Sequence, residues 1–276
     1  MMGRLTFAFA LWALLSIAVE AKDYDCVVDP DRTIKVGSPL VGLLSEVLVD
    51  RGDSVIRGQV VARLESTVEK ATVDLSKAEA ENTASLRQKE AQLALAQKAA
   101  DRAHALAQTQ SVSRKQIDEA ESDVLVQTLQ VENEKRELEL KSLELARAEA
   151  ALELKTIRSP DDGVVTERAL SGGEYANQES HILTIARLSE LRVETFLPVA
   201  LYGQIAEGDT AIVEPDPPIG GDYKAKVAVV DHVFDAASKT FGVRLLLPNP
   251  GLRLPAGMRC KVRFGAFPSA TSSLGP

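Results

Sequence analysis

The stretch from residue 59 to 159 constrains the fold of this chain more than any other part of the sequence. It contains none of the 17 glycines and 12 prolines of the chain. Ala, Leu, Glu, Lys, Gln and Arg dominate it, and these are the strong helix formers. In its second half an apolar residue stands at every seventh position: Ile117, Val124, Val131, Leu138, Leu145 and Leu152. This unbroken heptad series predicts a coiled coil.

The first half of the stretch predicts a second helical arm. The same period recurs at Leu86, Leu93, Ala100 and Ala107, with Val68 and Leu75 nearer its start. Residues 109–113 are rich in hydroxyl groups and interrupt the pattern, and Ser113 followed by Gln116 has the spacing of a capping box. We therefore predict an antiparallel hairpin of two helices, residues 66–109 and 114–156, each about 65 Å long. A single charged helix that serves as a solvated spacer is the alternative.

Strand-like segments with regularly placed glycines flank this hairpin on both sides. Upstream, apolar residues alternate between residues 46 and 64, with turns at Gly52 and Gly58. Downstream, residues 157–165 enter another strand. Each half is too short to bury a core by itself. We therefore expect the chain to leave one β unit, run out and back as the hairpin, and re-enter the same unit.

Longer alternating strands begin near residue 188. Four sets of residues are each predicted to share one face: Leu191, Val193, Thr195 and Leu197; Tyr223, Ala225, Val227 and Val229; Phe241, Val243, Leu245 and Leu247; Cys260, Val262 and Phe264. Residues 199–205 have the spacing of a short amphipathic helix. About five strands and one short helix predict a small antiparallel barrel.

The first 21 residues have the pattern of an export signal. Arg4 is followed by an uncharged, largely apolar run from Leu5 to Val19, and Ala21 ends a site that a signal peptidase recognises. An uncleaved membrane anchor is the alternative, but fifteen helical residues rise only about 22 Å, short of a roughly 30 Å hydrocarbon core. We expect residues 1–21 to be removed and the mature chain to be exported.

The order of these segments resembles the membrane fusion proteins, also called HlyD-family periplasmic adaptors. Residues 47–64 have the pattern V-x-V-x-x-G-D-x-V-x-x-G-Q-x-x-x-x-L, and I-R-S-P-D-D-G-V-V begins at Ile157. Both are similar to halves of a biotinyl/lipoyl domain that is split by an inserted hairpin. Pro248-Asn249-Pro250 and residues 254–258 are similar to the end of the barrel in this family. The resemblance covers about residues 33–265.

The resemblance implies an α+β fold made of a split lipoyl-like β domain, a coiled-coil α-hairpin and a small antiparallel β-barrel. The expected segments are a signal peptide (1–21), an N-terminal segment with the first lipoyl-like half (22–65), the hairpin (66–156), the second lipoyl-like half (157–187), the barrel (188–265) and a C-terminal tail (266–276). Fuller members of the family carry a fourth, membrane-proximal domain. Only about ten residues follow Gly265, so we expect no such domain here.

The resemblance also implies a role in a tripartite efflux pump. The chain is expected in the periplasm of a Gram-negative bacterium, where it is held at the inner membrane by its partner. The implied partners are an inner-membrane transporter (of the RND or the ABC class), a TolC-type outer-membrane channel, and further copies of the chain in a hexamer. The alternatives are a type I secretion adaptor for protein export and a structural periplasmic coiled coil. The sequence carries no signature of the exported substrate.

Three residues near the predicted hairpin turn match a family motif. Arg102, Leu106 and Ser113 have the spacing R-x3-L-x6-S that channel-docking adaptors carry at their tips. A cation, an apolar side chain and a hydroxyl can fill the grooves between channel helices. The resemblance therefore implies that these residues contact the outer-membrane channel. The alternative is that three common residue types have this spacing by chance.

The sequence has no constellation of residues typical of catalysis or cofactor binding. A lipoyl-type carrier lysine would need a Met-Lys-Met or Asp-Lys-Ala triplet, and neither occurs. The three histidines, His104, His181 and His232, lie in different segments without metal-ligand spacing. A net charge of −8 disfavours binding to nucleic acids. We expect no enzymatic activity, no cofactor and no metal.

The chain has two cysteines, Cys26 and Cys260. An exported chain folds in an oxidising compartment, where a disulfide persists. Two independent free thiols are the alternative. We predict a disulfide, because the expected lack of a further domain would leave the N-terminal segment loosely tethered.

Overall fold

A computed structural model of the protein describes residues 22–108 and 112–265. The predicted signal peptide, the tail and part of the predicted turn lie outside these residues. The helices are α1 (Thr67–Glu81), α2 (Ala84–Ala107) and α3 (Arg114–Glu153). The strands are β1 (Asp23–Gly37), β2 (Gly42–Val47), β3 (Ser54–Val55), β4 (Val60–Leu64), β5 (Thr156–Arg158), β6 (Gly163–Arg168), β7 (Tyr175–Ala176), β8 (His181–Pro198), β9 (Thr210–Pro215), β10 (Tyr223–Val230), β11 (Thr240–Pro248) and β12 (Met258–Phe264). Within the described residues, the chain forms one unit from residues 35–185 and a second from residues 22–34 and 186–265.

The β part of the first unit is built from both halves of the predicted split domain. Strands β2, β4, β5 and β7 form one sheet in the order β5-β4-β2-β7, and β3 pairs with β6. The halves are joined by backbone hydrogen bonds, among them Gly52 N–H to Val165 O (2.8 Å) and Gly58 N–H to Ser159 O (2.8 Å). Gly52 and Gly58 have φ values of 97° and 83°, which explains why glycine stands at these turns. The prediction of a split lipoyl-like domain is confirmed.

The hairpin of the same unit packs α1 and α2 against α3. All six heptad residues of α3 lie on its buried or half-buried side, and Val131 is only 5% exposed. Facing them on α2, Ala96 and Ala100 are buried. Such small side chains let two helices approach closely, as in other tightly packed pairs. The predicted coiled-coil hairpin is therefore confirmed in its described part.

The first arm of the hairpin differs from the prediction of one continuous helix. It breaks between α1 and α2, where Asn82 has an extended backbone and its side-chain oxygen accepts the N–H of Ala84 (3.2 Å). Asn favours such breaks because its side chain competes with helical hydrogen bonds. The seven-residue spacing of apolar side chains in α2 consequently does not continue into α1. Val68 (74% exposed) and Leu75 (62% exposed) point away from the seam, so their predicted inward placement was wrong.

The second unit is a closed barrel of six strands. Its order is β1-β12-β9-β10-β11-β8, and pairing of β1 with β8 closes it. The sequence predicted about five strands, and the sixth is the N-terminal β1, in which Cys26 and Val28 point into the core. The core is formed mainly by the predicted inward residues of β8, β10, β11 and β12. The predicted α+β fold class is thus confirmed.

Two local predictions for the barrel were wrong. Val229 is 37% exposed, whereas Val230 is buried, because a bulge in the β10–β11 pairing adds a residue after Val227 and reverses the alternation. The expected amphipathic helix over residues 199–205 is a single 3-10 turn, Val199–Leu201. Gly203 follows with a φ of 83°, a backbone conformation that does not continue a right-handed helix.

Polar contacts cross the hairpin at intervals along its length. From its base toward its tip they are Glu69–Lys155 (2.8 Å), Glu79–Lys141 (3.3 Å), Lys89–Gln130 (3.2 Å) and His104–Glu121 (3.0 Å). Lys155 is therefore paired with Glu69 at the base of the hairpin. Because each pair joins one arm to the other, these contacts help to fix the register of the two arms.

We expect Glu69→Gln to destabilise the base of the hairpin only above acidic pH. The hydrogen bond from the Lys155 side chain, followed by a backbone hydrogen bond, holds the pKa of Glu69 below its usual 4.5. A carboxyl with a lowered folded-state pKa stabilises the fold above its unfolded pKa, and this contribution is lost as the pH falls through the folded pKa. Since the pair is partly exposed, the cost at neutral pH should be only about 0.5 kcal/mol. Urea unfolding followed by circular dichroism at neutral pH and at about pH 3 measures the difference.

The exposed Glu90 of α2 provides the matched control, since it has no ion pair in the described structure. Glu90→Gln should leave the stability unchanged at both pH values. An equal loss for Glu69→Gln at neutral and acidic pH would contradict the ion-pair explanation.

Candidate docking site at the hairpin tip

The described residues nearest the turn of the hairpin are the last turns of α2 and the first turn of α3. Arg102 and Leu106 lie one turn apart on α2, so they share one face of the helix. Both are exposed, and Leu106 keeps 50% of its surface accessible. An exposed cation and an exposed leucine therefore stand side by side at the end of the first arm.

Ser113 stands at the start of the second arm, as the N-cap of α3. Its hydroxyl oxygen accepts the N–H of Gln116 (3.4 Å), and the Gln116 side chain accepts the N–H of Ser113 (3.0 Å). The predicted capping box is thereby confirmed. Ser113 consequently has a structural role in starting α3, in addition to the docking role that its spacing implies.

A polar contact joins the two arms to one another near the tip. His104, which lies between Arg102 and Leu106 in the sequence, places Nε2 3.0 Å from Glu121 Oε1 of α3. The contact joins α2 to α3 at a level of α2 between Arg102 and Leu106. The sequence did not reveal this partner, because Glu121 is separated from His104 by the whole turn.

The chemistry of the tip suits a helical groove on another protein. A leucine side chain can enter an apolar groove, and the neighbouring guanidinium can donate to carboxylates or carbonyls at its edge. Because Arg102 and Leu106 lie on the last turns of α2, these two side chains are presented on a rigid element. The arrangement is typical of a docking surface.

The other predicted residue pair belongs to the barrel unit. Cys26 of β1 and Cys260 of β12 are directly opposite in the strand register, and the structure joins them in a disulfide with an S–S distance of 2.11 Å. Their Cα atoms are 4.9 Å apart, within the range that disulfides require. Both side chains are buried. The predicted residues therefore form two groups: Arg102, Leu106 and Ser113 near the hairpin turn, and the two cysteines in the barrel unit.

The remaining titratable side chains form no recognisable site in the part of the chain that the structure describes. His181 Nε2 lies 3.5 Å from Glu167, and His232 Nδ1 lies 2.7 Å from the Tyr202 hydroxyl. No group of three or more His, Cys, Asp and Glu side chains among residues 22–108 and 112–265 is arranged to hold a metal ion. Among the same residues, no helix is both long and apolar enough to span a membrane.

Comparison with known relatives agrees with this architecture. Residues 32–187 match the family model of the CzcB-like, barrel-sandwich hybrid domain, and residues 193–267 match that of the CusB-like, beta-barrel domain. The structure superposes on MacA from Actinobacillus actinomycetemcomitans with a TM-score of 0.65 at 21% identity, covering 89% of this chain and 79% of the other.

Two named relatives are similar along most of the chain. The macrolide export protein MacA of Yersinia pestis is 27% identical over 243 residues, which cover 85% of this chain and 65% of the relative. The cobalt-zinc-cadmium resistance protein CzcB of Cupriavidus metallidurans is 25% identical over 244 residues, which cover 86% and 43%. The chain thus spans less than two thirds of the length of either relative. With family models matching more than half of its length, the chain belongs to the membrane fusion proteins, the adaptor family of efflux pumps.

Proposed function

We propose that this protein is a periplasmic adaptor that links an inner-membrane transporter to a TolC-type outer-membrane channel in a tripartite efflux pump. The observation that carries the proposal is the hairpin inserted between the two halves of the lipoyl-like domain, with Arg102 and Leu106 exposed on one face at its end. An insertion of this kind presents a docking surface far from its own β core. The proposal assigns channel contact to Arg102, Leu106 and Ser113.

The proposed role is connection rather than catalysis. The transporter supplies the energy for export, and the adaptor contributes geometry and a seal around the conduit. Copies of the chain would associate through their lipoyl-like and barrel units, in a hexamer as the resemblance implies. We propose that the partner transporter is of the RND class. We also propose that residues 1–21 are removed when the chain is exported.

Deletion of the gene tests the proposal. We expect the deletion strain to become several-fold more sensitive to detergents, dyes or antibiotics, and the tagged protein to co-purify with a transporter and a channel. Mass spectrometry of the co-purified proteins identifies the transporter class, and mass measurement of the purified adaptor shows whether residues 1–21 are removed. Loss of protein secretion instead of efflux would indicate a type I secretion adaptor. Unchanged sensitivity without co-purified membrane proteins would indicate a structural coiled coil.

A further inference from the structure

One end of the barrel presents exposed apolar side chains on a loop. This β10–β11 loop, residues 231–239, lies at the end where β8 finishes and β9 and β11 begin. Val233 is 84% exposed and Phe234 42% exposed. Tyr202 of the neighbouring segment 199–209 adds an aromatic ring that is 39% exposed. Single exposed apolar residues are ordinary, but a contiguous group of this kind marks an interaction surface.

The β10–β11 loop is held in one conformation by its own hydrogen bonds. The Asp235 carboxylate accepts the N–H groups of Ala237 (2.8 Å) and Ser238 (3.1 Å), and the Asp235 N–H donates to Thr240 O (2.9 Å). The same bonds to the carboxylate, that of Ser238 first, lower the pKa of Asp235, so it stays ionised. The loop is therefore ordered without any partner.

Aromatic contacts fasten the loop to segment 199–209. The Tyr202 ring meets Phe234 edge-on at 4.8 Å and the buried Phe241 at 5.4 Å. Its hydroxyl group lies 2.7 Å from His232 Nδ1. Rigid aromatic side chains lose little entropy on binding, and they are enriched among the residues that contribute most to binding energy. The Tyr202–Phe234 pair is thus preorganised, and Val233, next to Phe234 in the sequence, is the most exposed of the three.

The charges around the apolar group limit what can bind there. Segments 199–209 and 231–239 contain four carboxylates (Glu207, Asp209, Asp231 and Asp235) and one lysine, all exposed. An anionic membrane surface attracts basic segments and repels this one. A second copy of the same acidic end is also repelled. A protein pocket with an apolar floor and a rim of Lys or Arg is complementary both to the apolar side chains and to the carboxylates around them.

We propose that Val233 and Phe234 dock into an apolar, basic-rimmed pocket on the inner-membrane transporter of the pump. This inference rests on the proposed adaptor function and adds the contact residues and the chemistry of the partner surface. The hairpin tip and the β10–β11 loop would then serve two different partners.

Site-specific photo-crosslinking in the native host tests this inference. A benzophenone amino acid in place of Val233 should yield an adduct that mass spectrometry identifies as an inner-membrane transporter. Ile219, 41% exposed in the loop between β9 and β10 at the opposite end of the barrel, is the matched control position and should yield no such adduct. An adduct at position 233 with a second copy of the chain or with lipid, or no adduct, would overturn the proposal.

Substitutions provide the second arm of the test. Val233→Asp should reduce co-purification of the transporter at least about tenfold, equivalent to about 1.4 kcal/mol. Val233→Thr, of nearly the same shape, should reduce it less. Glu207→Lys should weaken co-purification of the transporter several-fold, because the basic rim would repel the introduced lysine. Both positions, 233 and 207, are exposed, so none of the three substitutions should change the melting temperature.

The outcomes separate this inference from the proposed function. If the unaltered protein co-purifies with no transporter, both fail. If it co-purifies with one, and Val233→Asp keeps that co-purification in full, the adaptor function stands and the loop assignment is wrong.

Discussion

Replacing Leu106 with Asp should abolish recruitment of the outer-membrane channel while leaving the protein folded. The change places an unpaired carboxylate in the apolar groove that the leucine is proposed to enter, at a cost of about 2 kcal/mol or more for each contact. In the proposed hexamer several copies would engage the channel together, so a modest loss in each copy would be multiplied and recruitment would fail sharply. Leu106 is 50% exposed at the end of α2, so the hairpin and the β domains should retain their stability. Co-purification of the channel measures recruitment, and circular dichroism measures helicity.

Leu95 provides the matched control on the same helix. It is 66% exposed and lies eleven residues before Leu106, about 16 Å along the helix axis. Leu95→Asp introduces the same charge away from the tip and should leave channel recruitment unchanged. A folded and exported Leu106→Asp variant that supports full efflux would disprove the assignment of the tip. Equal loss with both variants would indicate a general effect of charge on the hairpin.

Removing the disulfide should cause the largest loss of stability of any change considered. Cys26 and Cys260 are 234 residues apart, and in the chain-entropy model closing so long a loop stabilises the fold by about 5 kcal/mol, although measured values are often lower, at about 2–5 kcal/mol. The double variant Cys26→Ala/Cys260→Ala should therefore lower the melting temperature by roughly 10 °C. Thermal unfolding of the purified, unreduced protein measures this shift.

Reducing agent separates the effect of the bond from the effect of the substitutions. It should lower the melting temperature of the unaltered protein and leave that of the double variant unchanged. Thiol labelling of the folded, unreduced protein should detect no free cysteine. Two reactive thiols in that state would show that the bridge does not form in the protein as produced.

The parts of the fold that local sequence encodes were predicted correctly. The heptad residues of α3 and the lack of glycine and proline determine a long helical pair, because helix formation and coiled-coil packing depend on residues three to seven positions apart. Gly52 and Gly58 have the positive φ angles that their turns require, so the glycine pattern identified the split β domain. The capping box at Ser113 set the start of the second arm, since its two hydrogen bonds involve residues only three positions apart.

The candidate tip could be located from sequence, but its surroundings could not. The motif spacing placed Arg102 and Leu106 one turn apart on a helix, and this follows from helical geometry alone. The contact of His104, which lies between them, with Glu121 depends on the register between the two arms, which sequence spacing does not determine. The aromatic group around Tyr202 was missed for a similar reason, since its members come from three separate segments.

By itself, the sequence determined the order of the β halves, the hairpin and the barrel, and the residues at the hairpin tip. Only the tertiary structure decided that β1 completes the barrel, where Cys26 lies opposite Cys260. It also decided that Val230 rather than Val229 faces the core, because a bulge changes the strand register. Heptads, caps and glycine turns depend on neighbours along the chain, whereas strand pairing and bulges depend on residues that are distant in sequence. The periodicity of the sequence therefore predicts interactions between neighbours along the chain, but not strand pairing or bulges.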